Sequence, residues 1–170
     1  MLAALPVFAF PLLMIVAAVK DLATMTIPNW ISLGLIGAFL VIAPFTLPPA
    51  EMGVHLLVGV GALAIGFTMF ALGWVGGGDA KLLAGAALWA GWGALPEFLI
   101  WTGIAGGVFS VVLIGARRAV VLLPVAVGRG PLGRLLEPEG DMPYGVALCV
   151  GGLMAFPETT IFLSTIGAAG

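Results

Sequence analysis

Long runs without a charged residue constrain this chain more than any other feature of its sequence. An apolar helix that crosses a lipid bilayer takes roughly 20 residues, and six runs approach or reach that length. The runs are Leu2–Val19, Trp30–Ala50, Met52–Gly78, Leu82–Pro96, Phe98–Ala116 and Met142–Pro157. The sequence therefore predicts an all-α, polytopic membrane protein with about six transmembrane helices packed in one bundle.

The composition excludes most other classes of protein. Of 170 residues, 62% are hydrophobic and 8% are charged, whereas a soluble domain is about 25% charged. Disorder is excluded because too much apolar surface would stay unburied, and no alternating pattern predicts a β-barrel. A net charge of −2 provides no basic surface for nucleic acid. The single cysteine, Cys149, excludes an internal disulfide and a Cys-rich zinc site, and we expect no metal or cofactor.

The basic residues indicate how the helices are oriented. When the chain is threaded through six spans, all the basic residues fall on one side, which by the positive-inside rule is the cytoplasm. They are Lys20, Lys81, Arg117, Arg118, Arg129 and Arg134. The other side receives Glu51, Glu97 and Glu158. We therefore expect both termini outside the cytoplasm, a single domain over residues 1–170, and a cytoplasmic connection over about 117–141.

Two carboxylates at the predicted inner membrane edge require an explanation, because acidic groups near lipid are costly. Asp21 follows the first helix, where the negative end of the helix dipole disfavours an acid. Asp79 follows three glycines at 76–78. Each has a structural alternative: Asp21 as a solvated charge beside Lys20, and Asp79 as the N-cap of the fourth helix.

Topology allows these two carboxyls to meet, although the sequence alone cannot show that they do. Two carboxyls at a partly desolvated site cannot both ionise cheaply, so one pKa rises and the pair shares a proton. An ionised carboxylate can then activate water while a protonated one polarises a scissile carbonyl. Such a pair would have the chemistry of an aspartic protease.

Three short segments resemble the motifs of one known family. Residues 76–82, GGGDAKL, resemble the GxGD motif of type IV prepilin peptidases, whose usual form is close to G-x-G-D-x-K-L. Asp21, with Ile27-Pro28-Asn29 six residues later, resembles the family's first catalytic segment. Residues 142–147, MPYGVA, resemble a P-Y-G-x-A segment at the start of the final helix. The three segments occur in the family's order, and each lies at a predicted inner membrane edge.

The resemblance implies a specific activity. Members of this family cleave the short basic leader from prepilins and pseudopilins at the cytoplasmic edge of the inner membrane, just before the substrate's hydrophobic helix. By motif, Asp21 and Asp79 would form the catalytic pair, and Gly76 and Gly78 would shape the approach of the second Asp. The lipid bilayer and the machinery of pilus assembly or secretion would be further partners.

Other residues of these motifs have both a functional and a structural interpretation. Lys81 would tune the charge of the pair or meet lipid phosphate, or would only set the orientation of its helix. Asn29 would be a helix–helix contact or part of the site, and Tyr144 an interfacial anchor or a hydroxyl lining the site. Pro28 and Pro143 are expected in the first turns of the second and sixth helices, with Thr26 as a candidate N-cap of the second helix.

The chain also departs from the longer members of the family. Those members carry a cytoplasmic insert between the first two helices, often with two CxxC zinc pairs, which is associated with N-methylation. Here only Asp21–Pro28 joins the two predicted helices. The chain therefore resembles the short, tight-adherence-pilus type, and we expect peptidase activity without the zinc module.

The cytoplasmic connection and two rival functions remain open at this point. The apolar piece Ala119–Gly128 is too short to span and is expected at the inner interface. Glu137, Glu139 and Asp141 would attract a basic leader, or would form only a solvated loop. The rival functions are a small ion or solute carrier, in which the acids would bind cations or protons, and a non-catalytic subunit of a pilus or secretion apparatus.

Overall fold

A computed structural model describes residues 5–122, 130–137, 140 and 142–167, and within these ranges it contains helices and no strands. The long helices are α1 (Leu5–Thr24), α2 (Asn29–Thr46), α3 (Pro49–Ala71) and α4 (Gly77–Leu122). A short α5 (Pro131–Leu135) precedes α6 (Gly145–Ala155), a 3₁₀ turn (Phe156–Glu158) and α7 (Thr160–Gly167). The prediction of an all-α fold is confirmed.

The helices are those of a membrane protein. In the described part of the chain, α2, α3 and α4 are long and apolar enough to cross a bilayer. A fourth crossing results if residues 145–158 and α7, which meet at an angle of 44°, form one bent span. The predicted count of six spans and the location of the termini therefore remain predictions.

Helix α1 is apolar on the faces it exposes as well as on those it buries. Its exposed apolar side chains recur at helical spacing and are Phe8, Leu12, Ile15 and Val19. Its buried face carries Phe10, Met14, Ala17, Ala18 and Asp21. A helix with apolar exposed and buried faces suits contact with lipid on one side and protein on the other. Asp21 is the one charged residue on the buried face.

Helix α4 is broken at Gly91, where φ is 60° and ψ is −171°. We call residues 77–90 α4a and residues 92–122 α4b. Ile27 contacts both Gly78 of α4a and the first residue of α6, and Gly106 of α4b packs against Tyr144, just before α6. In one straight helix Gly78 and Gly106 would lie about 40 Å apart. The two segments therefore run in opposite directions and return to the same end of the bundle.

The predicted boundary between the fourth and fifth helices, Leu82–Pro96 and Phe98–Ala116, is wrong by several residues. The break lies at Gly91, while Glu97 lies inside α4b and accepts a hydrogen bond of 3.1 Å from Trp101 Nε1. A carboxylate with an i+4 donor is compatible with a helix interior. The charge at Glu97 therefore did not mark a helix end.

The start points of α2 and α6 also differ from those predicted. α2 begins at Asn29, so Pro28 is its N-cap residue rather than part of its first turn. The Thr26 hydroxyl lies 2.9 Å from that of Thr24 and does not cap α2. α6 begins at Gly145 with Tyr144 as its N-cap residue, so Pro143 lies before the helix rather than in it.

Part of the predicted cytoplasmic connection lies outside the described residues. α4b continues to Leu122, so the piece predicted at the interface, Ala119–Gly128, begins as helix. Residues 123–129, which include Arg129, are outside the described ranges, as are Glu139 and Asp141. The bilayer contact and the acidic group predicted there therefore remain predictions.

The break at Gly91 is stabilised by a buried histidine. His55 of α3 is 4% exposed, and its Nδ1 donates a hydrogen bond of 2.8 Å to the Leu88 carbonyl, three residues before the break. Its ring also stacks on Phe39 with centroids 5.7 Å apart. The imidazole fills the space beside Gly91, and a Cβ added at Gly91 would overlap it. His55 is therefore a packing residue of α3, and it contacts the end of α4a opposite to Asp79.

We expect Gly91→Ala to lower the free energy of unfolding by about 2 kcal/mol or more, because alanine at positive φ is strained and its methyl group meets His55. Gly93→Ala is the matched control, since a Cβ at Gly93 meets nothing within 4 Å. Thermal unfolding in detergent measures both. Equal melting temperatures for the two variants would contradict the importance of the Gly91 conformation.

Candidate active site

Asp21 is held by the start of another helix. It lies in the last turn of α1, is 5% exposed, and its Oδ2 accepts a hydrogen bond of 2.7 Å from the backbone N–H of Gly145. Gly145 is the first residue of α6, so this N–H has no partner inside its own helix. The positive end of a helix dipole stabilises a negative charge placed there. This hydrogen bond therefore stabilises a negative charge on Asp21 and offsets part of the cost of burying it.

Asp79 lies in the first turn of α4a and is half-buried. Its carboxylate accepts a hydrogen bond from the backbone N–H of Gly76, the residue that precedes α4. When the third residue of a helix is an acid whose carboxylate accepts a hydrogen bond from the N–H of the residue before the helix, the contact is one half of a capping box. The prediction that Asp79 is the N-cap is therefore wrong in position, although its carboxylate does cap the helix from within.

The second carboxylate oxygen of Asp79 lacks a hydrogen bond in the described part of the chain. Its Oδ1 is buried and has no hydrogen-bond partner among the described residues. A buried polar atom without a partner is costly, and in native proteins a catalytic role or a bound water commonly explains one. This oxygen is the unsatisfied acceptor at the site.

The two carboxyls lie within electrostatic range of each other, as the sequence allowed. Ile27, in the short connection between α1 and α2, packs against the backbone beside each acid. A Cβ at Gly78, next to Asp79, would lie 3.0 Å from Ile27 Cβ, and one at Gly145 would lie 3.0 Å from Ile27 Cδ1. Residues from α1, α4a and α6 therefore converge around Ile27 and bring the two acids together.

Three glycines allow this close approach. An added Cβ would lie 3.0 Å from Asp79 Oδ2 at Gly76, 3.0 Å from Ile27 at Gly78, and 2.8 Å from Asp21 Oδ2 at Gly145. Real Cβ contacts are rarely this short, so a side chain at any of these positions would force a neighbour to move. The predicted shaping role of Gly76 and Gly78 therefore has a steric explanation.

Lys81 and Asn29, both predicted near the site, contact each other. Lys81 Nζ donates a hydrogen bond of 2.9 Å to Asn29 Oδ1 and links α4a to the first residue of α2. Both residues are exposed. Asn29 is therefore a helix–helix contact, and within the described ranges Lys81 forms no ion pair with either acid.

The remaining predicted residues lie at the ends of the same helices. Pro28 immediately precedes α2, and Pro143 is fully buried two residues before Gly145. Tyr144 is 39% exposed, and its phenol oxygen would lie 3.6 Å from a Cβ at Gly106. The Tyr144 ring therefore packs over α4b, where glycine leaves room for it.

Sequence reasoning did not single out Gly145 and Ile27. Gly145 lies inside the segment 142–147 whose resemblance to the family was noted, and that segment was its only signal. Ile27 lies in the predicted first catalytic segment, but an isoleucine in so apolar a sequence carries no signal of its own. Gly145 contributes its backbone N–H and the absence of a side chain, and Ile27 contributes packing. Neither residue contributes a reactive side chain.

The described residues contain no group of three or more His, Cys, Asp or Glu side chains that could hold a metal ion. Cys149 is buried inside α6. The site itself offers two interacting carboxyls, one held by a helix N-terminus and the other with an open oxygen. Such a pair can exchange protons with a bound water and a polar substrate.

Comparison with known proteins identifies a family for this sequence. The sequence profile of the type IV leader peptidase family matches residues 8–111, a range that contains both acids and the glycines at 76–78. A prepilin leader peptidase/N-methyltransferase from Pectobacterium carotovorum subsp. carotovorum is 30% identical over 125 residues. That alignment covers 68% of this chain and 43% of the relative.

The chain thus spans less than half of the relative's length, and only residues 25–28 connect α1 to α2. This connection is too short for the cytoplasmic insert described above. No solved structure matches the chain. Because the family profile covers more than half of the sequence, the chain belongs to the type IV leader peptidase family.

Proposed function

We propose that this protein is a membrane-embedded aspartic endopeptidase that removes the leader peptide from type IV prepilins and pseudopilins, with Asp21 and Asp79 as its catalytic pair. The observation that carries the proposal is the convergence of a buried and a half-buried carboxyl from different helices at one end of the bundle. Family membership supports a leader peptidase, and the geometry suggests which residues act.

The different surroundings of the two acids suggest different roles. Asp21, bonded to the N–H at the start of α6, acts as the ionised base and takes a proton from water. The resulting hydroxide attacks the carbonyl carbon of the scissile bond. Asp79 holds a proton on its unpartnered Oδ1 and donates it to the carbonyl oxygen as the tetrahedral intermediate forms.

Collapse of the intermediate completes the reaction. The C–N bond breaks, and the proton on Asp21 passes to the leaving amine. The proton on the former carbonyl oxygen returns to Asp79 as the new carboxyl product forms. The pair ends with one proton, as it began, so no cofactor is required.

The site's position at the end of the bundle suits a substrate that is partly in lipid. We place this end at the cytoplasmic face of the inner membrane, because Lys20 and Lys81 flank the acids and basic residues favour that side. A basic leader would then stay in water while the apolar part of the substrate stays in the bilayer. Pilus or secretion machinery would receive the processed product.

Asp21→Asn and Asp79→Asn should each lower the cleavage rate by about 10²–10⁴-fold, the usual contribution of a general acid or base. The assay is co-expression with a prepilin precursor, scored by the size shift on cleavage. Glu51→Gln is the control, because Glu51 is an exposed acid at the start of α3, away from the site.

Normal processing by either Asn variant, with the protein present in the membrane, would contradict the two-carboxyl mechanism. Tolerance of both changes together with loss of pilus assembly on deletion would favour a non-catalytic subunit. A carrier would instead show altered ion or solute uptake in the Asn variants without any effect on precursor size.

Gly145→Ala should lower the cleavage rate by about 10²-fold, because its methyl group would displace the Asp21 carboxylate by a fraction of an ångström to an ångström. Gly107→Ala is the matched control, since a Cβ there meets nothing within 4 Å. Melting temperatures measured alongside separate a displaced carboxylate from a misfolded protein. A Gly145→Ala variant with wild-type rates would contradict the role given to this contact.

A further inference from the structure

An apolar groove runs along the outside of the bundle between α3, α4a and α4b. Its cavity volume is about 470 Å³. Helix α3 and α4b form its walls, and α4a forms its floor. The residues that line the groove are Val54, Leu57, Val58, Gly61, Ala62, Ile65, Leu83, Ala87, Trp92, Leu95 and Leu99. Every lining residue is apolar, and the tryptophan carries the only polar side-chain atom.

The floor of the groove leads to Asp79. Leu83 and Ala87 follow Asp79 at intervals of four residues, so all three lie along the same side of α4a. The wall from Val54 to Ile65 is about 17 Å long at 1.5 Å per residue, roughly half of a bilayer's hydrocarbon core. One end of the groove therefore lies a single helical turn from the carboxyl with the open oxygen.

Small residues favour a helix over a lipid chain as the occupant. Gly61 and Ala62, which are accessible, lie where an incoming helix would approach. Small residues are enriched at helix–helix interfaces in membranes, where they let two backbones come close. A disordered acyl chain does not need such a surface. The floor is also closed, since Ala87 is fully buried by its neighbours.

We propose that this groove seats the apolar helix of the substrate, in the turns that directly follow the cleaved bond. The proposal rests on the peptidase function proposed above. A helix lying along the groove and ending beside Leu83 presents the peptide segment before it to Asp79. The groove would thus recognise a transmembrane helix and fix which peptide bond lies between the two acids.

Gly61→Leu tests the proposal, because a Cβ at Gly61 meets nothing within 4 Å and a larger side chain there fills the groove without disturbing the bundle. Gly37→Leu is the matched control: Gly37 of α2 is equally open and exposed but does not line the groove. Two substrates are compared. One has a basic leader, the cleavage site and an apolar helix of about 20 residues, and the other lacks the helix.

Gly61→Leu should raise KM for the helix-bearing precursor about tenfold, with kcat changed much less, and the effect on the peptide without the helix should be far smaller. Gly37→Leu should leave KM for both substrates near the wild-type value. An unchanged KM in Gly61→Leu would overturn the proposal. Equal losses on both substrates would also overturn it, because they would indicate general damage rather than lost docking.

A binding measurement separates this proposal from the peptidase function itself. A photo-crosslinking amino acid at position 61, in the Asp79→Asn chain, should form a product with the helix-bearing precursor, and the same residue at position 37 should not. Cleavage by the wild type without this crosslink contradicts docking alone. A crosslink without cleavage by the wild type contradicts the peptidase function alone. Crosslinks only to lipid or to a second copy of the chain overturn the groove as a substrate site.

Discussion

The hydrogen bond from the Gly145 N–H to Asp21 is the contact on which the candidate site most depends. It ties the end of α1 to the start of α6 and gives a buried carboxylate the donor that it needs in an apolar bundle. Burying a charged group without such a partner is costly. The helix N-terminus therefore fixes the position of Asp21 and offsets part of the cost of its burial, and Ile27 packs beside both Gly145 and the Gly78 that precedes Asp79.

The reversal at Gly91 makes the rest of the arrangement possible. Because α4a and α4b run in opposite directions, α4a brings Asp79 to the same end of the bundle that α4b reaches beside Tyr144. The same reversal places the α4b wall of the apolar groove beside its α4a floor. A single backbone conformation, supported by the buried imidazole of His55, thus links the carboxyl pair to the surface proposed for the substrate helix.

The sequence predicted an all-α membrane fold because charges are rare and long apolar runs separate them, although a charge such as Glu97 lies inside a helix rather than at its end. It also identified both acids from their cost near lipid, and three motif segments indicated the family. It could not locate the break at Gly91, since the neighbouring Gly85 and Gly93 look the same in sequence and only a backbone angle distinguishes them. Nor could it find the contact between Asp21 and Gly145, because 124 positions separate them and no local spacing rule reaches that far.

The most direct test of the convergence of the two acids is a distance measured in the bilayer. Nitroxide labels on Lys20→Cys and Lys81→Cys, in a chain that also carries Cys149→Ala, leave both acids intact because both lysines are exposed neighbours of the site. Double electron–electron resonance should give a distance well below the thickness of the hydrocarbon core, about 30 Å. A distance equal to that thickness or larger would place the acids at opposite faces and contradict a shared site.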